Sequence, residues 1–253
     1  WEHENSRAPA SMPYLNKDST IWYPSLTESP SMTSGGVGGD IKLLDWDNNV
    51  LWNYTIANDS LQHHHDIEPL PNGNILVIAW ERKNLAEAQE MGRQNIQSSL
   101  GQIWSEAIFE IEPIGSDSAN IVWEWHLWDH LIQDVDPSLQ NYGIISEHPE
   151  LFDINLGEIG FGGGAIGSDN ADWVHLNSIH YNQVLDQIIL SSRTMNEIYI
   201  IDHSTTTEEA AGHSGGNSGK GGDFLYRWGN PQNYGRGSEL DRVLGNQHSV
   251  NWI

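Results

Sequence analysis

One unit recurs along the sequence: a strand opened by histidine, a turn, a strongly apolar strand, an Ile-x-x-Ile/Leu-Asp-like strand, and a closing strand built round tryptophan. The first copy runs from Gly39 to Asp45, turns at Asp47-Asn48-Asn49 and continues through Val50 to Tyr54. The second opens at His65, turns at Pro71-Asn72-Gly73-Asn74, and passes through Ile75–Trp80, Ala107–Glu112 and Ile121–Trp125. The third begins at His175 and carries Gln187–Arg193, Glu197–Asp202 and Phe224–Trp228; a fourth opens at Gln247-His248. Four short strands per unit, with an Asx or Gly turn and an aromatic last strand, is the pattern of a β-propeller blade. The sequence therefore predicts an all-β fold of four-stranded antiparallel blades, about three of them present, in a partial propeller spanning 1–253. Approximate blades fall at 36–62, 63–126 and 172–230, with the start of the next at 246–253. Long loop insertions are expected at 81–105, 127–171 and 203–222, the first holding a short helix within Lys83–Gln94. Three blades would leave sheet edges open, so the chain reads as roughly the first half of a ring.

Composition removes several function classes. With 11 Lys plus Arg against 35 Asp plus Glu, the net charge of −24 opposes binding to nucleic acid or an anionic membrane. The absence of cysteine rules out thiolate nucleophiles, cysteine-ligated metals and disulfides. Apolar runs such as Ile75–Trp80 are too short to span a bilayer. The chain opens on Trp1, so any signal peptide is expected outside it, and its acidity suits a secreted or periplasmic bacterial protein. Oligomeric state is not legible.

Several of the 12 histidines open the repeated strand. Opening strands of propeller blades line the central channel, so His65, His175 and His248 are expected to converge at one mouth of it. The bland alternative is a consensus packing or turn-bonding histidine. Arg193 tilts the balance, because it ends an almost wholly apolar strand, Ile188–Ser192, where an unpaired guanidinium is costly and an anion close by would relieve it. Trp173 and Tyr181 flank the same element and are candidates for stacking on an aromatic ligand. Other clusters are weaker. His63-His64-His65 cannot all face one ion in an alternating strand. His126 and His130 suit zinc only on a helix with a third ligand. Asp45-x-Asp47-x-Asn49 lacks the later residues of a calcium loop and reads as a hairpin turn. The run from Gly157 to Gly167 is a Gly-rich loop. No metal set and no cofactor motif emerge.

The segments HHDIEPLPNGNILV (64–77), DWVHLNSIHYN (172–182), DQIILSSRTMNEIYIIDHS (186–204), GDFLYRWGNP (222–231) and QHSVNWI (247–253) resemble the bacterial arylsulfate sulfotransferase family, in the family's order. The resemblance implies a six-bladed propeller that moves a sulfuryl group from a phenolic sulfate ester to a phenolic acceptor without the nucleotide donor PAPS. It implies that His248 carries a transient sulfohistidine in a ping-pong cycle and that His175 and Asn177 form the family's H-x-N pair. Arg193 would match the sulfate-binding arginine, and His65, with His64 as the other candidate, the first active-site histidine. Partners would be a small aryl sulfate donor and a phenol. Sulfuryl transfer needs fixed cationic and N–H donors around a loose transition state, and imidazole can both take up and release the group. A non-catalytic surface propeller binding glycans or proteins is the alternative from another class; a lyase or hydrolase of sulfated polysaccharide is weaker still.

Overall fold

The computed structural model describes residues 7–96, 98–160 and 169–253; Trp1 and most of the 157–167 loop lie outside them. Three four-stranded antiparallel meanders dominate. The first consists of β1 (Tyr14–Leu15), β2 (Ile21–Leu26), β3 (Gly39–Leu44) and β4 (Val50–Thr55). The second consists of β5 (Leu61–Pro69), β6 (Ile75–Asn84), β7 (Gln102–Ile114) and β8 (Ser118–His126), with the short helix α1 (Leu85–Glu90) between its middle strands. A parallel pair, β9 (Leu131–Ile132) and β10 (Phe152–Asp153), leads to the third meander. That sheet consists of β11 (Leu176–Asn182), β12 (Gln187–Ser192), β13 (Glu197–Asp202) and β14 (Tyr226–Trp228), with α2 (Thr207–Ala210) in its last connection. Among the described residues no helix is long and apolar enough to cross a membrane.

The unbroken apolar run of β6 has a direct cause. Ile75, Val77 and Ala79 enter a core shared with the first sheet, through Trp22, Ile41 and Trp52. Leu76, Ile78 and Trp80 enter a core shared with the third, through Leu176, Ile188, Leu190 and Tyr199. The second sheet is thus covered on both faces, which is why its central strand does not alternate with polar residues.

Two sheet limits differ from the sequence expectation. The first sheet reaches back to Tyr14 rather than starting near residue 36, because β1 is two residues long and β2 contains Pro24, so neither shows an alternating pattern. The 81–105 insertion is shorter than expected, since β6 and β7 stay paired from Glu81–Ser105 out to Asn84–Gln102 through a polar stretch. Asp45–Asn49 is a hairpin turn, with the Asp47 and Asn49 N–H groups donating to Asp45 Oδ1. Trp52, Trp123 and Trp125 are buried, whereas Trp228 is 44% exposed on the outer strand.

The opening strands stand side by side through side chains. Ile179 N–H donates to Asp66 Oδ2 at 3.2 Å, and Tyr181 N–H to Glu68 Oε1 at 3.2 Å. One unit further on, Val250 N–H donates to Ser178 Oγ at 2.8 Å, and Trp252 N–H to His180 Nδ1 at 3.0 Å. These paired links make His65, Asn177 and His248 equivalent positions, each one residue before the linking residue or its counterpart.

Candidate active site

The site grows from two irregularities at the start of opening strands. In β5 the register passes from His63–Ala79 directly to Ile67–Val77, which takes His64, His65 and Asp66 off the ladder. In β11 it shifts between Leu176–Ser192 and Ser178–Ser191, freeing Asn177. His65 and His175 both adopt positive φ, 50° and 53°, a conformation that costs a non-glycine residue of order 1 kcal/mol and collects at functional sites. Bulges of this kind re-aim side chains. Here they bring the His65 and His175 rings edge to face at 4.6 Å. Gly36 completes the fit: a Cβ there would lie 2.2 Å from the His65 ring.

Behind each histidine stands a buried carboxyl group. Asp172 Oδ2 accepts from His175 Nδ1 at 2.5 Å and from Ser34 Oγ at 2.9 Å. Burial opposes ionisation of Asp172, but the His175 hydrogen bond and charge, with help from His64 and Ser34, hold its carboxyl below the usual range. Glu106 behaves in the opposite way. Burial and the nearby Asp172 charge push it well above the usual range, towards the neutral acid.

Proton positions follow along the second chain. Glu106 Oε2 lies 2.9 Å from His64 Nε2, and His64 Nδ1 lies 2.9 Å from His65 Nδ1. A protonated Glu106 donates to His64 Nε2, so a neutral His64 carries its proton on Nδ1 and donates it to His65. His65 then presents Nε2–H outward. Burial pulls the His64 pKa down to about 3, and burial with the charges of His64 and His175 lowers that of His65 as well. His64 is itself held by stacking on Trp80 at 4.1 Å.

His248 is exposed and lies within electrostatic range of His65, lowering its pKa further. Its Nδ1 lies 3.2 Å from the Asn246 carbonyl, which only accepts, so Nδ1 carries the proton and a neutral ring leaves the Nε2 lone pair free. The segment is pinned from two sides. Gln247 Nε2 donates to the Ser192 and Glu197 carbonyls at 2.7 and 3.0 Å, and Asn177 Nδ2 donates to the Gln247 carbonyl at 2.8 Å. Asn177 Oδ1 is buried without a partner among the described residues. Arg193 follows β12 and donates its backbone N–H to the His175 carbonyl at 3.1 Å. It is half-buried, and its guanidinium enters none of the ion pairs or side-chain hydrogen bonds found among the described residues.

Two sequence candidates lie elsewhere. Trp173 is fully buried, donates Nε1–H to the Leu156 carbonyl at 2.6 Å and packs edge-on against Phe152, so neither ring face is open to a ligand. Tyr181 sits at the far end of β11, with its hydroxyl on Asp186 at 2.7 Å and its ring on His203. Three residues that shape the site went unnoticed in the sequence. Asp172 was signalled by its i,i+3 spacing to His175, and Glu106 by a charge inside an apolar strand; Ser34 left no signal. Beside the histidines, along the inner strands, a pocket of about 380 Å³ is lined by Tyr14, Asp66, Glu68, Asn177 and His180 among others.

Comparison with known proteins adds a family. A family model described as Arylsulfotransferase (ASST) matches residues 41–209, more than half of the chain. No curated protein matches. Among solved structures, a protein of unknown function from Bacteroides caccae is similar at 12% identity and a TM-score of 0.36, covering 80% of this chain and 45% of its own. Kuenenia stuttgartiensis hydrazine synthase is similar at 10% identity and a TM-score of 0.37, covering 83% and 46%. The chain spans less than half the length of either, and likeness at this level carries no argument about chemistry. The family match extends over both buried carboxyl groups and over His64, His65, His175, Asn177 and Arg193: the chain belongs to the arylsulfotransferase (ASST) family.

Proposed function

We propose that this chain forms the donor-side half of a PAPS-independent aryl sulfotransferase, built as part of a six-bladed propeller whose opening strands line the transfer site. What supports this reading is the His65–His175 ring contact at 4.6 Å, His248 within electrostatic range of His65, and Arg193, whose backbone N–H donates to the His175 carbonyl and whose guanidinium enters no ion pair among the described residues. A net charge of −24 repels a sulfate ester at long range, so its capture needs a local cationic site of this kind.

Arg193 and His65 Nε2–H hold the sulfuryl oxygens, and Asn177 fixes the His248 segment. The His248 Nε2 lone pair attacks sulfur as the ester S–O bond breaks. A protonated His175, its Nδ1–H on Asp172, gives its Nε2 proton to the departing phenolate, a role worth roughly 10²–10⁴ in rate. Phenol leaves, a second phenol enters, and His175 takes its proton as its oxygen attacks sulfur and the N–S bond of the sulfohistidine breaks. Protons and sulfuryl groups balance over the cycle.

The test is release of a chromogenic phenol from its sulfate ester by the intact protein, without PAPS, followed by mapping of the sulfated residue after a quench. Phenol release at an unchanged rate in His248→Ala would remove the nucleophile assignment. A strict need for PAPS would remove the donor assignment. Retention of sulfated ligands without any turnover would indicate a binding propeller instead.

A further inference from the structure

Away from the histidine cluster, three ligand-bearing side chains from distant parts of the sequence meet. His130 follows β8 in a short 3-10 turn (Leu127–His130), while His213 and Asp223 come from the Gly-rich connection between β13 and β14. Their ligand atoms all lie within 4.8 Å of one another. His130 Nδ1 and His213 Nδ1 are each 2.8 Å from the same oxygen, Asp223 Oδ1.

Hydrogen bonding alone accounts poorly for this arrangement. His130 Nε2 lies 2.9 Å from the Ala210 carbonyl, which can only accept, so Nε2 carries a proton. A second proton on Nδ1 would make fully buried His130 an imidazolium, while His213 would need its own Nδ1–H aimed at the same carboxylate oxygen. A cation among the three atoms removes both requirements. An imidazole whose far N–H is held by a backbone carbonyl is the usual setting of a metal-ligating histidine, because that bond fixes the tautomer and turns the lone pair inward.

The surroundings hold His130 in that orientation. Its ring stacks on Trp125 at 5.6 Å with planes 7° apart, and Trp125 Nε1–H donates to the Gly222 carbonyl at 2.7 Å. Gly222 packs so tightly that a Cβ would lie 2.0 Å from the Ala210 carbonyl oxygen and 2.6 Å from His130 Nε2. His213 is exposed and lines a surface pocket of about 610 Å³, which gives an ion a path in.

We infer that His130, His213 and Asp223 bind one divalent transition-metal ion of the zinc type, through two imidazole nitrogens and one carboxylate oxygen. Bonds of about 2.0–2.2 Å at tetrahedral angles separate ligand atoms by roughly 3.4 Å. Loading therefore asks each N–O contact, now at 2.8 Å, to open by about 0.6 Å, movements that Asp223 and His213, both on the β13–β14 connection, can make while His130 stays in place. A fourth ligand, such as water, would come from the pocket that His213 lines. The ion would clip the long β13–β14 connection to the turn after β8, and affinity should fall in acid as the imidazoles take up protons.

Titration of the chelator-stripped intact protein with zinc sulfate, followed by calorimetry and melting temperature, tests this. One equivalent should bind with a rise in melting temperature, and cobalt(II) should give the visible bands of a tetrahedral site. His213→Ala, at an exposed position, should keep the fold and weaken binding at least 10-fold; Asp223→Asn should weaken it further. Absence of zinc binding, or binding of equal strength in both variants, overturns the inference. Normal phenol release by His213→Ala would show that the metal site and the sulfuryl-transfer reading stand or fall separately.

Discussion

Asp172 and His175 share a hydrogen bond of 2.5 Å, Oδ2 to Nδ1, in a place where the carboxylate is fully buried. The bond occupies His175 Nδ1 and leaves Nε2 free of it. Ser34 supplies a second donor to the same oxygen. Asp172 does not touch substrate in the proposed cycle; it is a positioning residue.

Replacing Asp172 by Asn keeps the shape and removes the charge. Phenol release should fall roughly 10²–10⁴-fold, the range expected for losing a positioned acid–base group. The pH profile separates this role from a merely structural one. The pH profile of phenol release should change in Asp172→Asn, because the pair has lost the carboxylate that its hydrogen bonds hold ionised. An unchanged profile at a reduced rate would argue against the pair.

Glu106 offers a sharper contrast, because its proposed role needs the neutral acid. A side-chain amide can donate to His64 Nε2 and accept from Leu176 N–H, which Glu106 Oε1 now does at 2.9 Å. Glu106→Gln should therefore retain stability to within about 1 kcal/mol and most of the activity. Glu106→Ala leaves the His64 nitrogen and the Leu176 N–H unpaired in a dry interior and should cost about 1–3 kcal/mol for each group. Chemical denaturation of the two variants decides; equal losses would mean that Glu106 is ionised.

The repeat was legible because each unit must bury its apolar strands against neighbours, and that requirement writes Ile75–Trp80 and Ile188–Ser192 as apolar runs. The periodicity marked the starts of the opening strands, although it is Asn177 and not His175 that is equivalent to His65 and His248, and the family was legible in the short segments around them. What the sequence hid has physical causes. The bulges that turn His64, His65 and Asn177 off their ladders leave no compositional trace, so His64 stands in the sequence as the second candidate beside the favoured His65, whereas in the fold its ring stacks on Trp80. Trp173 read as a stacking surface because it flanks the H-x-N element, yet its ring fills the core. His130 was considered with His126, whereas the fold pairs His126 with Glu81 and brings His213 and Asp223 to His130 through a long connection whose path no local pattern encodes.

Arg193 and Arg227 should separate binding from stability. Arg227 donates Nε–H and an Nη2–H to the two oxygens of Glu197 at 3.1 and 2.7 Å, and its side chain is only 3% exposed. Truncation to alanine strands a buried carboxylate and should cost about 3–5 kcal/mol. Arg193→Ala breaks no such pair among the described residues and should change stability by no more than about 0.5 kcal/mol, as substitutions away from buried networks do. It should nonetheless raise the KM for the sulfate donor at least 10-fold, through loss of a charge-assisted fork on the sulfuryl oxygens. Thermal melts and donor saturation curves of both variants supply the check, and a donor KM unmoved in Arg193→Ala would take the arginine out of the site.

The buried histidines make stability depend on pH in a stated direction. His63 is fully buried, its Nδ1 accepts the Gly39 N–H at 2.9 Å, and burial, with the His64 charge, pulls its pKa down to about 3. The folded pKa thus lies below the unfolded value of about 6.5. As pH falls below about 6.5 the unfolded chain takes up a proton that the folded one refuses, so stability declines by up to about 1.4 kcal/mol per pH unit until the folded pKa is reached. Glu68 acts in the opposite sense, since burial raises it to about 7 and the folded protein gains its proton first. The parent therefore reports a sum of opposing slopes, and a variant isolates one of them. In His63→Asn the amide oxygen can still accept from Gly39 N–H but nothing titrates. Its urea midpoint, measured from pH 7 to 5, should fall less steeply than the parent's, with a difference approaching one proton's worth of slope. Parallel curves would show that His63 is protonated in the folded state, contrary to its burial.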